Sequence, residues 1–402
     1  MNIKSASVRS GFVGALLVLV TACSSTQVVE EDPVAPEPTQ MEVISEQTGL
    51  SIEALEGFEE AVSLMGSDFS GAAEILERVV EMEPTFAEAH FNLGLLYSDM
   101  GRPEEAVVHI QTARELDPDV FDYTVAMAKA YAEAEEYENA QRLFNEVISR
   151  EPDNLVAKNN MAVIALRQGD EEEAMRYVEE ILREDNNDVG ALNTLGLIYM
   201  ERQNVSLAKY VLGRALEQDE HHVDALNNLG LVYMQENNVP SAVAAFNRAV
   251  RADGNYLESR LNLGSILIEY LDYERAHEHF ENAVRIAPQN CVANLGKGAT
   301  SFALGNHEDS YELYNYYIDE CDPDHYSSYE RLARLTENYL QRHDEAIRYY
   351  NKLIEMSDDP NDIANFEATV NFLQSQMDQA AQQKQVEPEP EEEVAEEEPE
   401  SD

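Results

Sequence analysis

From residue 87 the chain reads AEAHFNLGLLYSDMGRPEEAVVHIQTARELDP (87–118), and the pattern of this stretch returns every 34 residues. Leu93-Gly94, Tyr97, Ala106, Ile110, Ala113 and Pro118 are answered one period later by Met127-Ala128, Tyr131, Ala140, Phe144, Val147 and Pro152. Further copies carry Leu195-Gly196 with Tyr199, Ala208, Leu212 and Ala215, then Leu229-Gly230 with Tyr233, Ala242, Phe246 and Ala249. Another has Leu263-Gly264, Leu267, Ala276, Phe280, Ala283 and Pro288. The apolar positions fall at helical spacing, so each copy predicts two packed helices. The small residue after the Leu or Met lets two backbones approach closely. Gly101, Gly169 and Gly305 stand where the chain must reverse and supply the left-handed conformation that ends a first helix. Pro118, Pro152 and Pro288 stop the second helix.

These residues at this spacing resemble the tetratricopeptide repeat, over roughly residues 53–360. The resemblance implies an all-α fold, a right-handed superhelix (an α-solenoid) of about nine helical hairpins. Some copies depart from the pattern. The first is degenerate in its opening helix but recovers Ala72, Leu76, Val79 and Pro84; a later one has Met161-Ala162 and Ala165; the copy from Cys291 keeps Gly298 but carries Lys297 and Ser301. The last slips register by about two residues near His325-Tyr326 before recovering Ala346, Tyr350 and Leu353. Beyond it, Ile363, Phe366, Val370, Leu373 and Met377 form one apolar stripe on an otherwise polar helix, the pattern of a capping helix over residues 361–384.

The ends read differently. Lys4 and Arg9 precede a short apolar run, Gly11 to Val20, and small residues lead to Cys23, in the order of an export signal. The run is short for a membrane-spanning helix. Val20-Thr21-Ala22-Cys23 resembles the lipobox of bacterial lipoproteins. That resemblance implies cleavage after a 1–22 signal peptide, acylation of Cys23 and, with Ser24 following, delivery to the outer membrane on its periplasmic side. Each acyl CH₂ buried in lipid contributes about 0.8 kcal/mol to such anchoring. Residues 23–50, with Asp32-Pro33-Val34-Ala35-Pro36-Glu37-Pro38, read as a disordered tether, and residues 385–402, with their runs of Glu, as a disordered acidic tail. The solenoid between them occupies 51–360.

The balance of 79 Asp and Glu against 27 Lys and Arg, with no basic stripe, excludes nucleic acid as a partner. Spread-out acidity also serves as a solvated, self-repelling surface. No metal or catalytic constellation emerges: His277 and His279 lie two apart on a helix, His221 and His222 are adjacent in a connection, and no phosphate loop or His-Glu-x-x-His occurs. The chain therefore reads as a non-enzyme, without cofactor or small-molecule substrate. Its remaining cysteines, Cys291 and Cys321, lie at the two ends of one hairpin, where an oxidising compartment would allow a disulfide and a reducing one would leave two buried thiols.

By the same resemblance, positions 2, 5, 6, 9, 12 and 13 of each copy point into the concave groove. Position 6 gives Asn92, Asn160, Asn228 and Asn262, with Thr194 interrupting; position 5 adds Asn159, Asn193 and Asn227. Positions 9 and 12 include Leu197, Leu231, Met200 and Met234. Amides flanked by Leu and Met suit an extended peptide, since amides bond its backbone and Met adapts to its side chains. Position 5 carries no Lys in any well-registered copy, against a clamp for carboxy-terminal carboxylates. The whole is similar to pilotin-like, gliding-motility and envelope-adaptor tetratricopeptide lipoproteins. Its expected role is an outer-membrane scaffold for periplasmic protein partners in pilus, secretion, motility or cell-wall machinery; a holdase-like chaperone is the alternative.

Overall fold

Every copy of the 34-residue pattern becomes two antiparallel helices. The computed structural model describes residues 39–386. Nine hairpins follow one another: α2–α3 (Ile52–Leu64, Phe69–Met82), α4–α5 (Ala87–Asp99, Pro103–Leu116), α6–α7 (Phe121–Glu133, Tyr137–Arg150) and α8–α9 (Leu155–Arg167, Glu171–Glu184). Then come α10–α11 (Val189–Glu201, Val205–Gln218), α12–α13 (Val223–Gln235, Val239–Ala252), α14–α15 (Leu257–Glu269, Tyr273–Ile286), α16–α17 (Cys291–Ala303, His307–Tyr316) and α18–α19 (Tyr326–Asn338, His343–Met356). The long helix α20 (Pro360–Val386) ends the described chain, and α1 (Gln40–Thr48) begins it.

The helices of a hairpin approach most closely at the small residues. A Cβ on Gly230 would stand 2.5–2.7 Å from three ring atoms of Phe246, and one on Gly196 would stand 2.7 Å from Leu212. The large side chains opposite are what fill the hairpin: Phe144, Phe246 and Phe280 are fully or almost fully buried. Where the first helix turns into its second, in every hairpin after the first, one residue takes a left-handed backbone. It is Gly at 101, 169 and 305, but Glu135, Gln203, Asn237, Leu271 and Gln341 adopt the same positive φ without the freedom of glycine.

The register slip near the last hairpin has two physical sources. A π-helical turn at Tyr317–Cys321 follows α17, so α18 starts at 326, 35 residues after the start of α16 at 291 rather than 34. The turn from α18 to α19 adds another residue, α19 starting 17 after α18 where α17 starts 16 after α16. Cys321, the last residue of the π turn, is disulfide-bonded to Cys291 at the head of α16, with Cα atoms 5.8 Å apart.

The described chain packs as two compact units. The first runs to Leu267 and takes in Glu281–Asn290; the second holds Ile268–Phe280 and the chain from Cys291 onward. Within the second unit, Tyr314, Ile318, Leu332, Leu335, Tyr349, Tyr350 and Leu353 form a buried cluster with Leu373 of α20. Phe366 and Val370 pack on the same cluster, and the Phe366 ring lies 5.6 Å from that of Tyr350. The stripe on α20 thus covers the last hairpin.

The tether expected over residues 23–50 is corrected at its far end, because residues 40–48 are helical. Thr39 and Glu42 form a capping box, each side chain accepting from the other's backbone N–H, and Met41 and Ile44 pack on the buried cluster of the first hairpins. Two apolar contacts and a satisfied first turn suffice to order a short helix that composition alone would leave open. The signal-like segment 1–22, Cys23 and the tether as far as residue 38 lie outside the described residues. So does the acidic tail from residue 387; its expected first residues, 385 and 386, are the end of α20.

Candidate functional site

The inner side of the first unit is set by which helices touch. First helices of successive hairpins (α4, α6, α8, α10, α12) contact one another as well as their own partners, and the second helices make no comparable mutual contact among the described residues. Elements nearest their counterparts lie on the inside of a curved stack, so the first helices line the concave face.

That curvature brings the ends of the unit together. Asn255, in the connection before α14, donates from Nδ2 to the Gly66 carbonyl at 2.9 Å, and Arg285 of α15 donates to the Ser67 carbonyl at 2.7 Å. Ile286 and Ala287 belong to the same buried cluster as the first hairpin, and Leu257 packs against it. The seventh hairpin thereby meets the turn of the first, closing one turn of the solenoid within this unit.

The amides of the inner face are partly occupied by one another. Thr194 donates from Oγ1 to Asn159 Oδ1 at 2.8 Å, Asn228 from Nδ2 to Asn193 Oδ1 at 2.9 Å, and Asn262 from Nδ2 to Asn227 Oδ1 at 3.0 Å. Each bond joins position 5 of one hairpin to position 6 of the next, so Thr194 is a rung of this ladder and not an interruption in it. Ser259 adds a second donor to Asn227 Oδ1 at 3.0 Å. Asn160 stands apart, its Nδ2 bonded to the Val156 carbonyl on its own helix at 2.8 Å. Asn92 is buried on α4. The carbonyl oxygens of Asn159, Asn193 and Asn227 therefore stitch the repeats, and the groups that still face inward without a partner among the described residues include the Nδ2 of Asn193 and of Asn227.

Beside the ladder opens a recess of about 360 Å³ lined by Val163, Leu166, Leu197 and Met200, with Arg167, Glu201 and Gln235 at its rim. An apolar floor with a few polar groups around it is the usual chemistry of a recognition pocket. Leu197 and Met200 are the residues expected from position; Leu166 and the polar rim at position 13 were legible from the same period. Leu231 and Met234 continue the half-buried apolar line one hairpin on. A recess of about 460 Å³ between α5, α6 and α7 is lined in part by Arg114, Arg142 and Arg150. There Glu146 already holds Arg114 and Arg150, at 3.2 and 3.0 Å.

Carboxylates crowd the inner face. Glu133 and Glu258 are exposed, and the partial desolvation of each by the chain around it pushes its carboxyl above the ordinary glutamate range. The Asp99 charge adds to the rise at Glu133, and Asp224, Glu133 and Asp99 add to it at Glu258. Desolvation lowers the Lys129 amine, while Glu133 and Asp224 draw it back up. Tyr256 donates to Asp224 at 2.9 Å. Among the described residues no group of three or more His, Cys, Asp or Glu is placed to hold a metal, and no helix is long and apolar enough to cross a membrane.

Four tetratricopeptide-repeat models match the chain, at residues 87–120, 131–196, 193–256 and 326–360. No curated protein matches it in sequence. Among solved structures it is similar to yeast Tom70, at 12% identity and a TM-score of 0.38, covering 86% of this chain and 95% of that one. It is also similar to the APC/C hetero-tetramer Cut9-Hcn1, at 15% identity and a TM-score of 0.46, covering 73% of this chain and 58% of that one.

Proposed function

We propose that this tetratricopeptide-repeat chain is a protein-binding scaffold that seats an extended stretch of a partner along the inner face of its first unit. The apolar recess of Val163, Leu166, Leu197 and Met200 carries the reading. It accepts one large side chain, while the inward Nδ2 groups of Asn193 and Asn227 can donate to carbonyls of the partner's backbone. The coupled repeats make a rigid receptor, which keeps the ordering cost of binding on the partner's side.

The export-signal order of residues 1–23, ending in Val20-Thr21-Ala22-Cys23, supports a second element of the reading. Acyl chains on Cys23 hold the protein on the periplasmic face of a bacterial outer membrane, where it organises an envelope assembly of the pilus, secretion, motility or cell-wall kind. Incorporation of labelled palmitate that disappears in Cys23→Ala tests the anchor; a protein that stays unlabelled refutes it. Leu197→Asp with Met200→Asp tests the recess: a few stoichiometric partners recovered by the parent should be lost, and unchanged recovery refutes groove binding. Weak retention of many unrelated chains, with suppression of their aggregation, would instead identify a holdase.

A further inference from the structure

A hairpin in a solenoid touches its neighbours in sequence, so the first hairpin, an end repeat, should pack on the second alone. Here it meets a further part of the chain. Asn255 donates to the Gly66 carbonyl and Arg285 to the Ser67 carbonyl, across 189 and 218 residues. Arg285 also reaches Asn255 Oδ1 at 3.4 Å, which turns that amide so that its Nδ2 faces Gly66.

The turn that receives these donors is built unlike the others. In every later hairpin a left-handed residue ends the first helix. The residue after it returns its N–H to that helix, as Arg102 does to Tyr97, Asn204 to Tyr199 and Asn238 to Tyr233. The first turn, residues 65–68, has no left-handed residue although Gly66 stands in it. Instead, Ser67 and Asp68 both donate their N–H to the Leu64 carbonyl at 2.8 Å. Joining two helices does not call for this exception, because the left-handed turn joins the pair in each later hairpin. The exception falls where two successive carbonyls meet donors from far along the chain.

Beneath this polar rim, Ile286 and Ala287 are buried in the cluster of the first hairpin, and Leu257 packs on it. That apolar contact favours the seated arrangement. The rim itself lies in water, since Gly66, Ser67 and Arg285 are exposed. Water can therefore replace each rim bond as it breaks, so the seam can part without leaving these groups unpaired. A first hairpin that swings on its connection to α4 keeps its own two helices intact.

We propose that the turn of the first hairpin is a latch. Seated on Asn255 and Arg285, it closes the turn of the solenoid in the first unit. Released, it frees the first hairpin to swing away and opens the inner face at that seam. The latch needs no partner and goes beyond the groove reading.

The test uses the purified full-length protein with Cys23→Ser, in which Cys291 and Cys321 are held as a disulfide. Nitroxide labels go on Glu53→Cys and Arg251→Cys, exposed positions of α2 and α13 outside the seam. Pulsed electron resonance between them should show one dominant short distance. Asn255→Asp keeps the size of the side chain but has no N–H for Gly66, and should raise the ratio of long to short distances at least about fivefold. Asn255→Ala with Arg285→Ala should raise it at least about tenfold. Arg214→Ala with Arg248→Ala is the control, because those side chains donate to the Asn186 and Glu220 carbonyls of adjoining hairpins. It should leave the distances as they are in the parent. Far-ultraviolet circular dichroism should find the parent's helix content in both seam variants, which separates an opened latch from an unfolded hairpin. Seam variants with the parent's distances, an equal change in the control, a parent dominated by the long distance, or helix lost together with the short distance overturns the inference.

Discussion

Replacing Asn227 with Ala should destabilise the free protein, with no ligand present. The side-chain oxygen accepts from Ser259 and Asn262, both at 3.0 Å, and so joins α12 to α14. Two such bonds contribute about 0.5–1.5 kcal/mol each, and a buried donor left without an acceptor costs about 1–3 kcal/mol. Ser259 is 0% exposed and cannot be rehydrated, whereas Asn262 is half-buried and can. The expected loss is therefore about 2–3 kcal/mol. Asn160→Ala is the matched control. Its amide bonds only to the Val156 carbonyl of its own helix, and Ala is the better helix former, so the change should stay within about 0.5 kcal/mol. Urea unfolding followed by far-ultraviolet circular dichroism gives both numbers. The slope must be compared as well as the midpoint, because a repeat array can lose cooperativity when one interface weakens. If Asn227→Ala unfolds within about 0.5 kcal/mol of the parent, the amides do not stitch the repeats and the reasoning fails.

Four further outcomes are expected. Gly230→Ala drives a Cβ into the buried Phe246 ring and should cost about 1–3 kcal/mol in urea unfolding, whereas Gly213→Ala, with open space around its Cβ, should gain about 0.5–1 kcal/mol. Leu271 is 69% exposed at φ 59°, so Leu271→Gly should raise stability by roughly 0.5–1 kcal/mol, and a lowered midpoint would contradict the strain assigned there. Reducing Cys291–Cys321, which lie 30 residues apart, should cost about 3–4 kcal/mol in unfolding with and without reductant, unless native contacts persist in the unfolded chain. His90 Nε2 faces the Pro84 carbonyl and must donate to it, so His90 Nδ1 must accept from His109 Nδ1, 3.1 Å away. Burial lowers both imidazoles, with His90 adding to the effect at His109, so the folded state favours their neutral forms. Stability from this pair is fully present above about pH 6.5 and is lost progressively as pH falls from there through the lowered folded-state values. A nuclear magnetic resonance titration should place both rings below 6.5, with pH-dependent unfolding reduced in His109→Gln; titration at or above 6.5 refutes the pairing.

Much of this fold is written in one period. Leu93-Gly94 and Ala106, and their equivalents at 229–230 and 242, specify two helices and the depth of their approach, because a missing Cβ and a facing large side chain are local facts of sequence. The stripe from Ile363 to Met377 was legible for the same reason. The left-handed backbone at Gln203 and Leu271 was not, since the hairpin imposes it on residues with no preference for it. The π turn ending at Cys321 and the extra residue near Gln341 showed only as lost register, without a residue type to mark them. Helix α1 was announced by Thr39 and Glu42 at capping-box spacing but hidden by the Pro-rich stretch before it.

At the site, position in the repeat picked out the inner-face amides and the Leu197–Met200 recess. It did not show that five of the seven amides bond the neighbouring hairpin, because position 5 meets position 6 only once the hairpins stack. Thr194 looked like a break for want of that pairing. The closure through Asn255 and Arg285 joins residues 189 and 218 positions apart from their acceptors and has no periodic signature at all.

The most direct test of the account is site-specific photocrosslinking in living cells from Met234 on the inner face, compared with Glu179 on α9. The account predicts discrete crosslinked partners from position 234, lost when Leu197→Asp is added, and none of those partners from position 179. The same bands from both positions, or bands from 179 alone, would contradict it.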